Sequence, residues 1–161
     1  MKYLKRFLLE SKKDNIYIFL DIDGVCIPFD ENSNHRYFED KEKWSKESIK
    51  NLNSLHKKYK PNVVIISSYC NEKTLKELSD KFKEMEFNGK IIEKLKGQKS
   101  EIRFLQVKKY IEANNVDKFV IIDDIEHDIK DVPELKSNWC RPKSNKGFTK
   151  EDLSKCYDIL G

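Results

Sequence analysis

An apolar run that ends in two aspartates constrains the fold more than any other stretch of this chain. Residues 16–20, Ile-Tyr-Ile-Phe-Leu, are rich in β-branched and aromatic side chains, and Asp21, Asp23 and Gly24 follow them. Such a run predicts a strand that is buried on both faces. Because a buried strand cannot hold carboxylates in its middle, the aspartates must lie at its carboxyl end. Open α/β sheets bind their ligands at that end.

The spacing of Asp21 and Asp23 indicates a metal-binding role. Because they are two residues apart, an extended backbone directs both carboxylates to the same side, and Gly24 permits a sharp turn directly after them. Two carboxylates at close range repel each other unless a cation lies between them, and Mg²⁺, which prefers oxygen ligands, is the expected cation. The competing interpretation is a strand that ends in an ordinary Asp/Gly turn.

Two further apolar runs, residues 62–66 and 118–122, also predict buried strands with polar side chains at their carboxyl ends. The residues that follow these runs are Ser67, Ser68, Asp123 and Asp124. Two adjacent acids at the end of a core strand are hard to explain structurally, because like charges repel there. Helical patterns separate the runs, so the sequence predicts a Rossmann-like, three-layer α/β fold, with a parallel sheet and helices on both faces.

Apolar spacing predicts the remaining elements of the fold. The expected helices cover about residues 45–59, 71–85, 100–113 and 149–160. The third of these helices is expected to face the core through Ile102, Leu105 and Ile111. A short strand is expected over residues 89–92, and an edge strand over residues 135–140.

The composition is that of one domain over residues 1–161, since a chain of this length can bury one real core and is short for two. We expect the core over about residues 16–161 and a basic amphipathic helix over about residues 1–13. The net charge of +4 permits a polyanionic partner without demanding one. The four cysteines show neither a C-x-x-C motif nor a zinc spacing, which is typical of reduced thiols in a cytoplasmic protein. No stretch is long and apolar enough to suggest a membrane span.

The order of these motifs, Asp-x-Asp, serine, lysine and Asp-Asp, resembles the haloacid dehalogenase (HAD) superfamily of phosphohydrolases, with the lysine expected within residues 94–99. Within that superfamily the chain is most similar to the small HAD domain of fused RNA-repair proteins. The matching motifs are residues 19–25, Ser67-Ser68, Glu101-Ile102, residues 122–124 and residues 147–149. The likeness runs from about Ile16 to the C-terminus. The segments at the two cap positions of the superfamily are short, so we expect a HAD-like domain with no substantial cap domain.

The resemblance implies a Mg²⁺-dependent phosphatase and a role for each motif residue. Asp21 attacks phosphorus and forms an aspartyl-phosphate, while Asp23 protonates the leaving oxygen and later deprotonates a water. Ser67 donates a hydrogen bond to a phosphoryl oxygen, and Lys99 neutralises the charge of the phosphoryl group and the nucleophile. The residues expected to bind substrate are Gly24, Ser68 and Tyr69.

The expected Mg²⁺ ligands are Asp21, Asp23, Asp123 and Asp124. For the last two, the resemblance implies that Asp124 touches the metal more directly, while Asp123 orients the lysine or a metal-bound water. Asp128 is a further candidate, because some relatives use an Asp-x-x-x-Asp spacing, which Asp124 and Asp128 match.

Two choices among neighbouring residues stay open. Either Ser67 or Ser68 faces the phosphate, and Ser67 is favoured because it directly ends the apolar run. Lys99 competes with Lys94 and Lys96, and it is favoured because it lies just before the start of a predicted helix.

An open site suits the phosphorylated end of a large substrate. The RNA-repair likeness therefore favours RNA or DNA ends, with the 3′-phosphate preferred, and the basic residues 94–99 and 141–150 are expected to flank the same crevice. A small-molecule or nucleotide phosphatase is the alternative, and a catalytically inactive domain that binds phosphate or a partner is the second alternative. His127 has acidic neighbours and is expected in a solvated surface loop.

Overall fold

Five parallel strands form the central sheet of this computed structural model, which describes residues 15–30 and 37–161. The strands are β1 Ile16–Leu20, β2 Asn62–Ile65, β3 Lys90–Lys94, β4 Lys118–Ile122 and β5 Trp139–Cys140. Their order across the sheet is β3-β2-β1-β4-β5. The three runs that predicted buried strands form the centre of the sheet, and the predicted parallel α/β fold is confirmed.

The carboxyl ends of the three central strands meet at one edge of the sheet. Leu20 of β1 lies beside both Ile65 of β2 and Ile122 of β4. Directly after β1, the amide of Asp21 donates to the carbonyl oxygen of Ile122 at 3.0 Å. This register brings together the polar residues that follow the strands.

Four α-helices connect and follow the strands in the described residues. They are α1 Lys46–Tyr59, α2 Leu75–Glu84, α3 Arg103–Ala113 and α4 Lys150–Leu160. The side chains of Ser45, Thr74 and Thr149 accept hydrogen bonds from backbone amides at the starts of α1, α2 and α4. Such caps satisfy amides that have no partner within the helix, so they fix where each helix begins.

The core has two halves, one on each face of the sheet. Alternate side chains of β1 point to opposite faces, with Ile18 and Leu20 in one half and Tyr17 and Phe19 in the other. Helices α1, α2 and α4 contribute to the first half, and α3 contributes to the second. Because both faces of the sheet are covered, the central strands are apolar apart from Asn62 and Lys118 at their starts, and the acids follow their carboxyl ends.

Two elements differ most from the sequence-based expectation in their bounds. The helix expected from about residue 71 begins at Leu75, because Ser68–Asn71 forms a separate 3-10 turn and Thr74 forms a capping box with Glu77. The strand expected over residues 135–140 is reduced to Trp139–Cys140, because a 3-10 helix covers Pro133–Asn138.

The inward face predicted for α3 is confirmed only in part, since Leu105 and Ile111 pack against the core without being fully buried. The buried residues of this helix are Arg103, Phe104 and Val107, whereas Ile102, Leu105 and Ile111 are only partly buried. The 3-10 turn Ser100–Ile102 before the helix gives the first turn a different rotation from the one assumed for a continuous helix. This difference in phase buries an arginine.

The segments at the two cap positions hold only short elements in the part of the chain that the structure describes. The 3-10 turn Lys41–Lys43 precedes α1, and the Ser68–Asn71 turn and α2 lie between β2 and β3. The residues that the structure describes therefore contain no large cap, as predicted. The helix expected over residues 1–13 lies outside the described residues. Within residues 15–30 and 37–161, no helix combines the length and the apolar character needed to cross a membrane.

Candidate active site

Three buried carboxylates form a cluster at the carboxyl edge of the sheet. Asp21 follows β1, and Asp123 and Asp124 follow β4. One oxygen from each of the three side chains lies within 4.8 Å of the others. Each residue is at most 4% exposed. The juxtaposition predicted for these acids is thus present in the structure.

The cluster is electrostatically unfavourable without a cation. Burial, together with the charge of Asp123, raises the pKa of Asp21 well above its usual value, although Arg103 opposes the shift. Burial also raises the pKa of Asp124. The buried Oδ1 atom of Asp124 has no hydrogen-bond partner in the described residues. Closely spaced carboxylate oxygens and an unsatisfied buried acceptor suit a hard cation such as Mg²⁺.

Gly24 makes room for Asp124. Its backbone adopts a φ of +78°, and a Cβ atom at this position would lie 2.1 Å from Oδ2 of Asp124. Any other residue would displace the carboxylate as well as strain the turn. Sequence reasoning assigned Gly24 to substrate binding, and the structure adds this steric reason for a glycine.

Asp23 lies outside the cluster of three carboxylates, which holds Asp21, Asp123 and Asp124. The hydroxyl of Tyr69 donates to Oδ1 of Asp23 at 3.2 Å. The structure therefore does not support the prediction that the Asp23 carboxylate joins the metal ligands. The strand ends at Leu20, so the two-residue period of a strand does not by itself fix the direction of the Asp23 carboxylate.

The two serines that follow β2 occupy different environments. Ser67 is fully buried, and its Oγ atom accepts a hydrogen bond from the amide of Tyr69 at 3.2 Å. This bond uses an oxygen lone pair, so the hydroxyl hydrogen of Ser67 remains able to donate. Ser68 is partly buried and begins the 3-10 turn. The role of Ser67 as a phosphate donor stays a prediction, as does substrate contact by Ser68 and Tyr69.

In the described residues, the hydrogen bonds and ion pairs of Asp21, Asp123 and Asp124 include none of the three candidate lysines, Lys94, Lys96 and Lys99. Lys99 is exposed at the start of the Ser100–Ile102 turn. The Nζ atom of Lys94 donates to the carbonyl oxygens of Cys70 and Lys73, at 2.9 and 2.6 Å, and so fastens the loop after β2. Lys96 is exposed. Lys94 is therefore committed to this loop, while phosphate contact by Lys96 or Lys99 stays a prediction.

Arg103 provides the cation that sequence reasoning sought in a lysine. Its Nη1 atom lies 3.1 Å from Oδ2 of Asp123 and 3.4 Å from Oδ1 of Asp21. The residue is 6% exposed, and its Nε atom has no hydrogen-bond partner in the described part of the chain. The sequence did contain a hint of this role. Arg103 lies in the apolar stretch Ile-Arg-Phe-Leu, where a solvated surface residue is not expected.

The Asp123 carboxylate has several hydrogen-bond partners that the sequence did not predict. Besides Arg103, Nε2 of His127 lies 3.0 Å from both of its carboxylate oxygens. The amide of Ile125 donates to its Oδ1 atom at 3.0 Å. The His127 side chain is 3% exposed, and its Nδ1 atom is 2.8 Å from Oγ of Ser100. The prediction of a solvated His127 is therefore wrong.

Asp128 caps a helix. Its two carboxylate oxygens accept from the amides of Phe104 and Leu105, at 2.7 and 3.0 Å, in the first turn of α3. The carboxylate also favours the positive end of the helix dipole. Both oxygens contact α3, and Asp128 lies outside the cluster of Asp21, Asp123 and Asp124, which argues against the alternative in which Asp128 binds metal. The cap holds the turn that carries Arg103.

The loop that follows β5 closes the cluster on another side. Ser144 donates from Oγ to Oδ2 of Asp124 at 2.6 Å. Arg141 donates from Nε to the carbonyl oxygen of Asp124 at 3.0 Å. The amide of Phe148 donates to the carbonyl oxygen of Val25 at 2.9 Å, which ties the loop to the turn after β1. Through Phe148, the Gly-Phe-Thr motif of residues 147–149 thus holds this loop against the turn that follows Asp21 and Asp23.

Each of the two basic segments lines a concavity of its own, and their place beside one crevice at the acid cluster stays a prediction. Lys94 and Lys96 line a groove beside Lys109 of α3. Residues 141–150 instead line a separate pocket with Glu47 of α1.

A comparison with protein families finds one match over most of the chain. The model of the family described as the HAD domain in Swiss Army Knife RNA repair proteins matches residues 17–153. A search of curated proteins finds no match. The matched range includes the three acids of the cluster, Asp21, Asp123 and Asp124, and the arginine beside them, Arg103.

Proposed function

Because the chain belongs to the family of HAD domains found in Swiss Army Knife RNA repair proteins, we propose that it is a Mg²⁺-dependent phosphatase that acts through an aspartyl-phosphate. The observation that carries this proposal is the cluster of Asp21, Asp123 and Asp124, with oxygens within 4.8 Å of one another, against the buried guanidinium of Arg103. A nucleophile, a cation site and a fixed positive charge are the groups that phosphoryl transfer requires.

Asp21 is the proposed nucleophile. Its Oδ1 atom accepts from the amide of Ile22 at 2.8 Å, which fixes the orientation of the carboxylate. A carboxylate oxygen attacks phosphorus as the bond from phosphorus to the leaving oxygen breaks. The product is an acyl phosphate on Asp21, and a water later attacks its phosphorus to release inorganic phosphate and regenerate the carboxylate.

Asp23 is the proposed acid and base. In the first step it gives its proton to the leaving oxygen, and in the second step it takes a proton from the attacking water. The hydrogen bond from the Tyr69 hydroxyl, 3.2 Å long, orients the Asp23 carboxylate for this exchange. Its position outside the metal cluster supports this role, because a group that must gain and lose a proton is hindered by direct metal ligation.

The remaining charges stabilise the phosphoryl group. Asp21, Asp123 and Asp124 would hold Mg²⁺, which neutralises phosphoryl oxygens when bound. Arg103 supplies a fixed positive charge beside the nucleophile, and its Nε atom is a buried donor without a partner in the described residues. Ser67 donates its hydroxyl hydrogen to a phosphoryl oxygen.

The proposed substrate is the phosphorylated end of a nucleic acid, with the 3′-phosphate favoured. The family match to domains of RNA repair proteins supports this class of substrate. The lack of a large cap in the described residues supports it too, because an open site admits the end of a long chain. A small-molecule or nucleotide phosphatase is the alternative.

Two assays test the proposal in sequence. Release of phosphate from an aryl phosphate in the presence of Mg²⁺, and its loss on chelation, would support the phosphatase; no release with or without Mg²⁺ would favour the phosphate-binding domain. A panel of 3′- and 5′-phosphorylated oligonucleotides and mononucleotides then tests the substrate. The proposal expects the highest kcat/KM for 3′-phosphorylated oligonucleotides, and equal or higher values for mononucleotides would favour the alternative.

A further inference from the structure

The pocket that residues 141–150 line with Glu47, at the start of α4, is surrounded mainly by basic side chains. This basic pocket has a volume of about 280 Å³. Its basic residues are Arg141, Lys143, Lys146, Lys150 and Lys155, and its acidic residues are Glu47, Glu151 and Asp152. Basic side chains therefore outnumber carboxylates, five to three.

Two of the three carboxylates are already engaged. Asp152 is buried and accepts from the amide and the hydroxyl of Thr149, each at 2.9 Å, as part of the cap of α4. Glu151 lies 4.0 Å from Lys155. Three lysines of the pocket form no ion pair with any residue that the structure describes: Lys143, Lys146 and Lys150. Their charges are thus available to an anionic ligand.

Arg141 connects the basic pocket with the acid cluster. Its Nε atom donates to the carbonyl oxygen of Asp124 at 3.0 Å, and its guanidinium carbon lies 5.4 Å from the centre of the Trp139 ring. Trp139 in turn donates from Nε1 to the carbonyl oxygen of Asp123 at 2.9 Å. The carbonyl oxygen of Asp124 therefore holds the Arg141 guanidinium directly, and that of Asp123 holds it through Trp139. Both contacts fix Arg141 at the edge of the basic pocket.

We propose that the basic pocket binds an internucleotide phosphate of a single-stranded nucleic acid whose phosphorylated end lies at Asp21. This subsite rests on the proposed function, because it extends the same substrate away from the acid cluster. Lysine side chains attract phosphates as point charges and do not read bases, so the subsite favours a polynucleotide over a mononucleotide irrespective of sequence. Arg141 marks the boundary between the terminal phosphate and the next one.

Direct binding tests the subsite without relying on turnover. A fluorescein-labelled, unphosphorylated oligonucleotide is titrated with the full-length protein, and its anisotropy gives Kd over a series of salt concentrations. The test variant removes three charges of the pocket, Lys143→Gln, Lys146→Gln and Lys150→Gln. The matched control removes three exposed charges elsewhere, Lys57→Gln, Lys83→Gln and Lys90→Gln. Thermal melts establish that both variants fold.

The proposal expects the pocket variant to bind about tenfold more weakly at low salt and to lose about 0.7 units of the slope of log Kd against log salt, since each phosphate contact on a single strand contributes roughly 0.7. The control is expected within about twofold of wild type. Equal weakening of both variants, or no weakening of the pocket variant, would overturn the subsite. Weaker binding by the pocket variant of a protein that releases no phosphate would uphold the subsite while refuting the phosphatase. The single variants Lys143→Gln and Lys150→Gln serve if the triple variant does not fold.

Discussion

The Nη1 atom of Arg103 lies 3.1 Å from Oδ2 of Asp123, and both residues are almost completely buried. The same nitrogen is 3.4 Å from Oδ1 of Asp21. One guanidinium therefore links the proposed nucleophile with the acid pair of the neighbouring strand. Removing one partner of a buried, charged contact leaves the other uncompensated, so this arrangement predicts strong effects of substitution.

Replacing Arg103 should impair catalysis far more than replacing Lys99. Arg103→Gln removes the fixed charge beside Asp21, and loss of one such group typically lowers kcat on the order of 100-fold. Lys99→Gln is the matched control, because Lys99 is exposed, and its kcat on an aryl phosphate should stay close to wild type. A larger loss for Lys99→Gln than for Arg103→Gln would restore the lysine assignment.

Gly24→Ala should disrupt the site through a clash as well as through backbone strain. The Cβ atom would meet the Asp124 carboxylate at 2.1 Å, in a backbone with a φ of +78°. Gly97→Ala isolates the strain, because Gly97 has a φ of +68° but its Cβ atom would lie 3.7 Å from the nearest atom, Nε2 of Gln106.

Chemical denaturation measures the two glycine variants. Gly97→Ala should lower the free energy of unfolding by about 1 kcal/mol. Gly24→Ala should lower it by a further 1 to 3 kcal/mol or so, the usual cost of overpacking, and should abolish activity. Equal losses in the two variants would mean that the carboxylate moves aside without cost.

The two acids at positions 124 and 128 should respond differently to the same substitution. Asp124→Asn removes a charge from the cluster, so the apparent affinity for Mg²⁺ should fall by at least about tenfold, a size seen even for the partners of metal ligands. Asp128→Asn weakens the cap of α3 and should lower the free energy of unfolding by about 1 kcal/mol, with a smaller effect on Mg²⁺ affinity. Greater metal sensitivity at Asp128 would reverse the assignment.

Without metal, Asp21→Asn should stabilise the protein at neutral pH. Burial and the charge of Asp123 raise the pKa of Asp21, so the folded state binds this proton more tightly than the unfolded chain does. Ionisation of Asp21 therefore lowers stability as the pH rises above the unfolded-state value. In chelator at pH 7, the Tm of Asp21→Asn should exceed that of wild type, whereas the exposed Asp117→Asn should change it little.

Added Mg²⁺ provides the counterpart to the Asp21→Asn experiment. Wild-type protein should gain stability with Mg²⁺, because a bound cation relieves repulsion within the cluster. The gain should be smaller for Asp21→Asn. A lower Tm for Asp21→Asn in chelator, or an equal gain with Mg²⁺, would contradict the description of the cluster as a cation site.

The acids could be predicted from the sequence because their positions follow from strand burial alone. β1 is apolar throughout, β4 is apolar after Lys118, and carboxylates follow both strands; parallel strands in register bring those ends together. No such rule locates Arg103. It belongs to a helix whose phase depends on a preceding 3-10 turn and on the Asp128 cap, and both are tertiary features that apolar spacing does not encode.

Lys94 is a residue whose role the sequence suggested and the structure does not support. Its place in a basic stretch between two motifs suggested a phosphate contact, yet its ammonium group donates to the carbonyl oxygens of Cys70 and Lys73. A lysine that satisfies backbone carbonyls cannot be distinguished in sequence from one that binds an anion, because both lie in polar segments after strands.

The most direct test of the phosphatase asks whether a phosphoryl group is transferred to Asp21. Protein turning over an aryl phosphate with Mg²⁺ is quenched in acid and reduced with borohydride, which converts the acyl phosphate of an aspartate to homoserine, and the peptides are analysed by mass spectrometry. The account predicts homoserine at position 21 in wild-type protein, and no phosphate release by folded Asp21→Asn, since loss of the nucleophile costs on the order of 1,000-fold or more. Phosphate release by wild-type protein with homoserine at another aspartate, or substantial turnover by folded Asp21→Asn, would contradict it.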